Sequence, residues 1–302
     1  MKHAGTAGVR PVPASRRRAN GAGLARGLLR LAPPIALLMA TLVVWQAFVR
    51  LRHVPDYLLP PPSAIWQTTL DEHDLLLSNT VPTLEIAVYG FVLACGAGFV
   101  VALAIHFSRV LELALYPIVI ASQAVPILAL APILLILLGF SIWPKLVVVA
   151  LICFFPIVVN AVDGMKSVDP ELLNLLRSLG AGRWRTLYEV ELPSALPFLF
   201  SGAKIAVTFS VVGALYGEWV GSSEGLGYLI IQKQSQFDTA AIFSAMAILT
   251  AIGVGLFSFV SVLERALIPW HRPPRRGSHL RRRPLKLSAT PQAPPPPERE
   301  QT

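Results

Sequence analysis

Asp169-Pro-Glu-Leu-Leu-Asn-Leu-Leu-Arg-Ser-Leu-Gly-Ala-Gly-Arg-Trp-Arg-Thr-Leu-Tyr-Glu-Val-Glu-Leu-Pro193 is a polar island of about 25 residues set between long apolar runs. Asp169 suits a helix N-cap and Pro170 the first helical position. Gly180 supplies the left-handed residue that ends such a helix. The pattern predicts a short helix, a glycine stop and a second short helix, with Pro193 separating the island from the next apolar run. Helices this short are marginal in water, so the hairpin is expected to dock against a partner.

The surrounding chain explains why a polar island stands out. Of its 302 residues 54% are apolar and only 14% are charged, a composition rare in a soluble domain. Apolar runs at 31–50, 80–106, 112–138, 144–164, 195–220 and 239–267 are each long enough to cross about 30 Å of hydrocarbon. The third run contains Pro117, Pro126 and Pro132 and is predicted to kink or break. A break inside a membrane is tolerated only where protein or a water-filled cavity receives the freed backbone groups. Lys204, near the inner start of the fifth run, is placed to snorkel toward the interface.

Lysine and arginine set the orientation. Segments 1–30, 107–111, 164–194 and 265–302 hold seven, one, four and nine of them, 21 of 26 in all. The opposite flanks hold Arg50, Arg52, Lys145 and Lys233. By the positive-inside rule both termini and the polar island are cytosolic. The formal charge of +9 thus reflects membrane topology and not nucleic-acid binding. Cys95 and Cys153 lie within apolar runs without a CxxC pattern and read as small buried hydrophobes. The outer loop 51–79 contains an amphipathic stretch, Ala64–Leu76, expected along the membrane surface. The loop after the fifth run contains the glycine-rich turn Gly221-Ser-Ser-Glu-Gly-Leu-Gly227. Three parts follow: a basic tail 1–30, a transmembrane domain 31–268 carrying the hairpin 169–193, and a Pro- and Arg-rich tail 269–302. Both tails are expected to be disordered.

The island resembles the coupling loop of permeases from binding-protein-dependent ABC importers. That loop reads Glu-Ala-Ala, three residues, Gly, nine residues, Ile, any residue, Leu, Pro. Gly180, Val190, Leu192 and Pro193 fall at those spacings, while Asn174, Leu175 and Leu176 stand where the family has Glu-Ala-Ala. Two further segments, Phe155–Gly164 and Gly213–Ile230, are similar to permeases for nitrate, sulfonates, taurine, bicarbonate and thiamine-precursor pyrimidines. The wording Glu-Trp-Val-Gly and Ser-Glu-Gly-Leu-Gly is most like the pyrimidine-precursor and riboflavin branch. The resemblance spans about residues 60–268. It implies an all-α, six-span, type I importer permease in a bacterial inner membrane. It further implies a homodimeric pore, a separate ATP-binding subunit that carries ATP and Mg, and an extracytoplasmic substrate-binding protein. The cargo it implies is a small polar solute.

Function is expected in two places. Glu171, Leu172, Asn174, Leu176, Leu179, Gly180, Arg183 and Pro193 form the expected coupling surface, with Leu172, Leu176 and Leu179 as its apolar stripe. Ser122 and Gln123 beside the Pro126 break, Asn160, and Glu218 at the outer end of the fifth run are the pathway or gate candidates. No Walker loop, HExxH or GxSxG occurs, so neither an ATPase nor a hydrolase is expected in this chain, and it is expected to bind no cofactor or metal of its own. An ion-coupled secondary transporter would need a midplane ion site and internal repeats; neither a repeat nor a midplane acid pair is visible. A non-transporting membrane scaffold is the remaining alternative, and co-purification without an ATPase would favour it. The charge asymmetry yields a direct test. Single cysteines at Ser63 and Ser223 are expected to react with an impermeant thiol reagent in intact cells, whereas one at Ser178 is not. External labelling at position 178 would overturn this topology.

Overall fold

The computed structural model describes residues 22–269, with side-chain surroundings from residue 32 onward. Every regular element among them is helical. The chain runs α1 (Ala22–Arg52), α2 (Pro62–Asp71), α3 (His73–Phe107), α4 (Arg109–Ser122), α5 (Ile127–Leu138) and α6 (Ile142–Lys166). It continues through α7 (Pro170–Ser178), α8 (Arg183–Thr186), a π turn (Leu187–Glu191), α9 (Leu192–Trp219), α10 (Leu226–Ser235) and α11 (Thr239–Leu267). Five stretches are individually long and apolar enough to cross a membrane, and α4 with α5, bent by 103°, passes the same test as a pair, which makes up to six spans.

Most expected spans are recovered, and three differences have physical causes. The backbone is already helical from Ala22, so part of the expected N-terminal tail belongs to α1; residues 1–21 and 270–302 lie outside the described residues. The amphipathic stretch 64–76 is divided between α2 and the start of α3, because the chain turns at Glu72. The loop after the fifth span folds, beyond its glycine turn, into the additional helix α10.

Helix α6 is the centre. Half of its apolar window is buried, against 6% for the peripheral α1. Its main partners are α9 and α3. Both present small residues to it at four-residue spacing: Gly90, Ala94, Gly98 and Ala102 on α3, and Gly202, Ala206, Ser210 and Ala214 on α9, all buried. In lipid the hydrophobic effect does not drive helices together, so close approach over small residues carries the packing. The notches are tight. A Cβ on Gly202 would stand 2.6 Å from the carbonyl oxygen of Pro156, and one on Gly213 would stand 3.0 Å from Val149 Cα.

Charged side chains pin the outer helices. Lys204 does not extend alone to the interface; its ammonium meets Glu264 at 2.8 Å and joins α9 to α11. Lys233 lies between Glu72 at 2.7 Å and Asp238 at 3.0 Å. Burial pushes the pKa of Lys233 down, but the two carboxylates outweigh it and hold the pKa above the ordinary lysine value. The packing makes a prediction. Gly202→Ala forces α9 off a backbone atom and is expected to cost about 1–3 kcal/mol. Gly255→Ala, with open space around it, is expected to be neutral. Thermal unfolding in detergent distinguishes the two.

Candidate functional site: the cytosolic hairpin, the broken span and the outer clamp

The hairpin 169–193 starts as its sequence dictates. Asp169 Oδ1 accepts the N–H of Glu171 at 2.9 Å, and Pro170 takes the first helical position. Gly180 has φ +82°. Behind it the N–H of Gly180 bonds to the Arg177 carbonyl, and the N–H of Ala181 to the Leu176 carbonyl, each at 3.0 Å. This is the paired closure of a Schellman motif.

The second arm departs from expectation. Pro193 does not separate it from the fifth span. Residues Arg183–Trp219 form one continuous helical path, with the π turn just before Pro193. A proline inside an α-helix lacks an N–H donor and its ring presses on the carbonyl four residues back. Widening the turn upstream relieves that contact and leaves the helix unbroken.

The exposed apolar set also differs from the one expected. Leu172, Leu175 and Leu179 are exposed, whereas Leu176 is half-buried. Trp184 and Tyr188 extend the surface, stacked with their rings 6.2 Å apart. Glu171, Asn174 and Arg183 are exposed on the same hairpin. Beneath it lies a cavity of about 380 Å³ walled by His106, Lys166, Arg177, Arg183 and Glu191 among others. There Glu191, nearly buried, meets His106 Nε2 at 2.8 Å and ties the π turn to the end of α3.

The pathway candidates separate. Gln123 and Asn160 come together on one wall system, a cavity of about 280 Å³ at the α4–α5 break. Ser122 does not join them; its hydroxyl returns to the Val119 carbonyl at 2.6 Å. Glu218 lies elsewhere, in an outer clamp. Its side chain is 1% exposed, and Oε2 accepts the N–H of Gly227 at 2.6 Å. Asn79 Oδ1 accepts the N–H of Gly225 at 2.9 Å, and Thr83 Oγ1 that of Leu226 at 2.8 Å. Three successive N–H groups at the start of α10 are thus held by α3 and α9. Gly225 has φ +105°, and a Cβ there would run into the Glu218 carboxylate. So enclosed, the Glu218 side chain presents no surface to a docking protein in this conformation. Asn79 and Thr83 carry no local motif, so only the three-dimensional contact reveals them.

The comparisons with known proteins follow this geometry. Residues 94–272 match the family model described as "Binding-protein-dependent transport system inner membrane component". The chain belongs to this family. Within it, this permease is similar to the formylaminopyrimidine transport permease protein ThiX of Halalkalibacterium halodurans, 37% identical over 240 residues. That alignment covers 79% of this chain and 96% of the relative. The riboflavin transport system permease protein RibX of Chloroflexus aurantiacus is 39% identical over 237 residues, covering 77% and 88%. Among solved structures, an inward-facing MetNI methionine ABC transporter chain shares the fold at a TM-score of 0.56 and 18% identity, over 65% of this permease and 98% of that chain. The permease is therefore a membrane subunit of a transport system.

The clamp makes a separable prediction. Glu218→Gln keeps an acceptor for Gly227 and is expected to be mild. Glu218→Ala leaves a buried N–H unpaired, at about 1–3 kcal/mol. It is expected to lower the melting temperature and to expose the 221–227 loop to protease. Equal behaviour of the two variants would show that the hydrogen bond is not what holds the loop.

Proposed function

We propose that two copies of this permease form the pathway of an ATP-driven importer, with spans three and five near the dimer axis and both termini in the cytosol. A separate ATP-binding subunit carries ATP and Mg and seats on the hairpin 169–193, and an extracytoplasmic binding protein delivers a small polar solute. The observation that carries this reading is the unbroken helical path from Arg183 to Trp219. A partner that moves the hairpin moves the fifth span with it, without a flexible joint between them.

The docking surface supports the same reading. Leu172, Leu175, Leu179 and Trp184 are exposed on a short hairpin outside the apolar spans, where lipid does not cover them. Exposed apolar patches of this kind mark interaction sites. Six spans, one of them broken, are few to enclose a polar route, and a second copy supplies the missing wall. ATP drives transport only if the ATPase binds the two conformations of the permease with different affinity.

Substitutions in the hairpin test this. Gly180→Val places a β-branched residue at a left-handed position, a cost of roughly 1–2 kcal/mol. Leu175→Asp puts a charge on the docking stripe. Both are expected to leave membrane insertion intact while reducing ATPase co-purification and ATP-driven uptake by about tenfold or more. Asn174→Ala, at the position of the family glutamate, is expected to be mild. Wild-type uptake by both Gly180→Val and Leu175→Asp would show that another element couples the ATPase.

A further inference from the structure

We infer that the cavity at the α4–α5 break is the solute-selecting subsite, and that it takes an uncharged, single-ring heteroaromatic compound with a hydrogen-bonding edge. The inference rests on the importer reading above and adds to it the place and chemistry of selection.

The three cavities described differ in charge. The outer one, about 580 Å³, is walled by Glu85, Lys145 and Glu224 among others. The cytosolic one carries His106, Lys166, Arg177, Arg183 and Glu191. Among the described residues, no ionisable side chain lines the cavity at the break. Its polar groups are the side-chain amides of Gln123 and Asn160, and its aromatic faces are Phe155 and Phe209; Ile152 and Ile205 contribute apolar wall.

This set matches one chemistry better than another. A sulfonate or nitrate brought here would be an anion without a full positive charge beside it, and burying an unpaired charge is costly. The start of α5 at Ile127 adds first-turn N–H groups, but these amount to about half a charge and suit a ring carbonyl as well as an oxyanion. An uncharged heteroaromatic ring meets the site on both of its surfaces. Its face stacks on Phe155 or Phe209, worth about 0.5–1.5 kcal/mol for an aromatic pair. Its edge, with alternating donors and acceptors, is read by amides, which offer both.

Asn160 is fixed for that task. Its Nδ2 donates to the Pro156 carbonyl at 2.7 Å, which orients the group and leaves Oδ1 and the second N–H for a ligand. Size narrows the class further. At about 280 Å³ the cavity lies just below the roughly 300–1,000 Å³ usual for small-molecule sites. That space takes one ring between its aromatic walls, and a larger fused system would have to extend out of it.

The test uses the purified permease–ATPase complex in nanodiscs, without the binding protein, so that selection by the permease is read alone. Radiolabelled formylaminopyrimidine is the probe in equilibrium dialysis, with riboflavin and an aliphatic sulfonate as competitors. Saturable binding is expected, displaced by unlabelled probe, weakly by riboflavin and not by the sulfonate. Gln123→Leu and Asn160→Ala are expected to weaken binding about three- to tenfold, corresponding to the loss of one ordinary hydrogen bond, at a melting temperature matching the wild type. No saturable binding, displacement by the sulfonate at equal concentration, or wild-type affinity in both variants would overturn the inference. ATP hydrolysis by the same wild-type complex separates the two levels. Intact hydrolysis with any of those outcomes sinks only the subsite, whereas a complex without hydrolysis removes the importer reading and the subsite with it.

Discussion

Everything in this permease is hung on α6, and α6 is held by the absence of side chains on its neighbours. Gly90 and Gly98 of α3, and Gly202, Gly213 and Gly217 of α9, leave notches into which the bulk of α6 fits. Val149 alone fills two of them, one from each side. In water such contacts would be secondary to burial of apolar area. In lipid they are the main source of association, because a leucine gains little by exchanging a lipid tail for another leucine. The ion pairs between Lys204 and Glu264, and around Lys233, act on top of this packing by fixing the outer helices to the α3–α6–α9 core.

The same core explains how a surface hairpin can reach the membrane interior. Helix α7 is closed by its capping aspartate and by Gly180, so its orientation is set locally. The second arm enters the π turn and continues into α9 as one helix. A proline at this point would ordinarily end or kink the helix. Here the wider turn, with the Leu192 N–H reaching the Leu187 carbonyl, absorbs the ring of Pro193 and retains continuity. A proline in a motif therefore marks a change of helical pitch here, not a boundary.

Much of this was legible in the sequence, and the losses have a common cause. Asp169, Pro170 and Gly180 act on the backbone immediately around them, so their roles could be read from residue type and order. The break at Pro126 was a local signal as well. What the sequence did not disclose depends on which face a residue turns to a neighbour. Leu175 and Leu176 are adjacent leucines, and only the packing of α7 decides that Leu175 faces out. Asn79 and Thr83 reach a loop more than 140 residues away in the chain. The four-residue spacing of small residues on α3 and α9 was a readable signal for the core, since Gly90, Ala94, Gly98 and Ala102 recur at i+4. Of the pathway candidates, Gln123 and Asn160 meet because a broken helix and α6 enclose one space, and no spacing rule joins positions on different spans.

The two ends of α9 are held by different means, and that difference bears on where movement is cheapest. At the outer end three side-chain acceptors, two of them buried, grip three consecutive backbone N–H groups, and glycines at 225 and 227 let the loop close against Glu218. Opening it would break three hydrogen bonds together and lift Leu226 and Leu229 from their buried packing. At the inner end the contacts are the His106–Glu191 pair and the walls of a polar, solvent-reachable cavity. Groups parted there can be taken up by water. Low-stability regions are those with exposed polar contacts and few buried ones. A force applied at the hairpin therefore acts on the compliant end of a helix whose far end is bolted to α3 and α10. The helical path from Arg183 to Trp219 is continuous and carries Ile205 and Phe209 past the α4–α5 break.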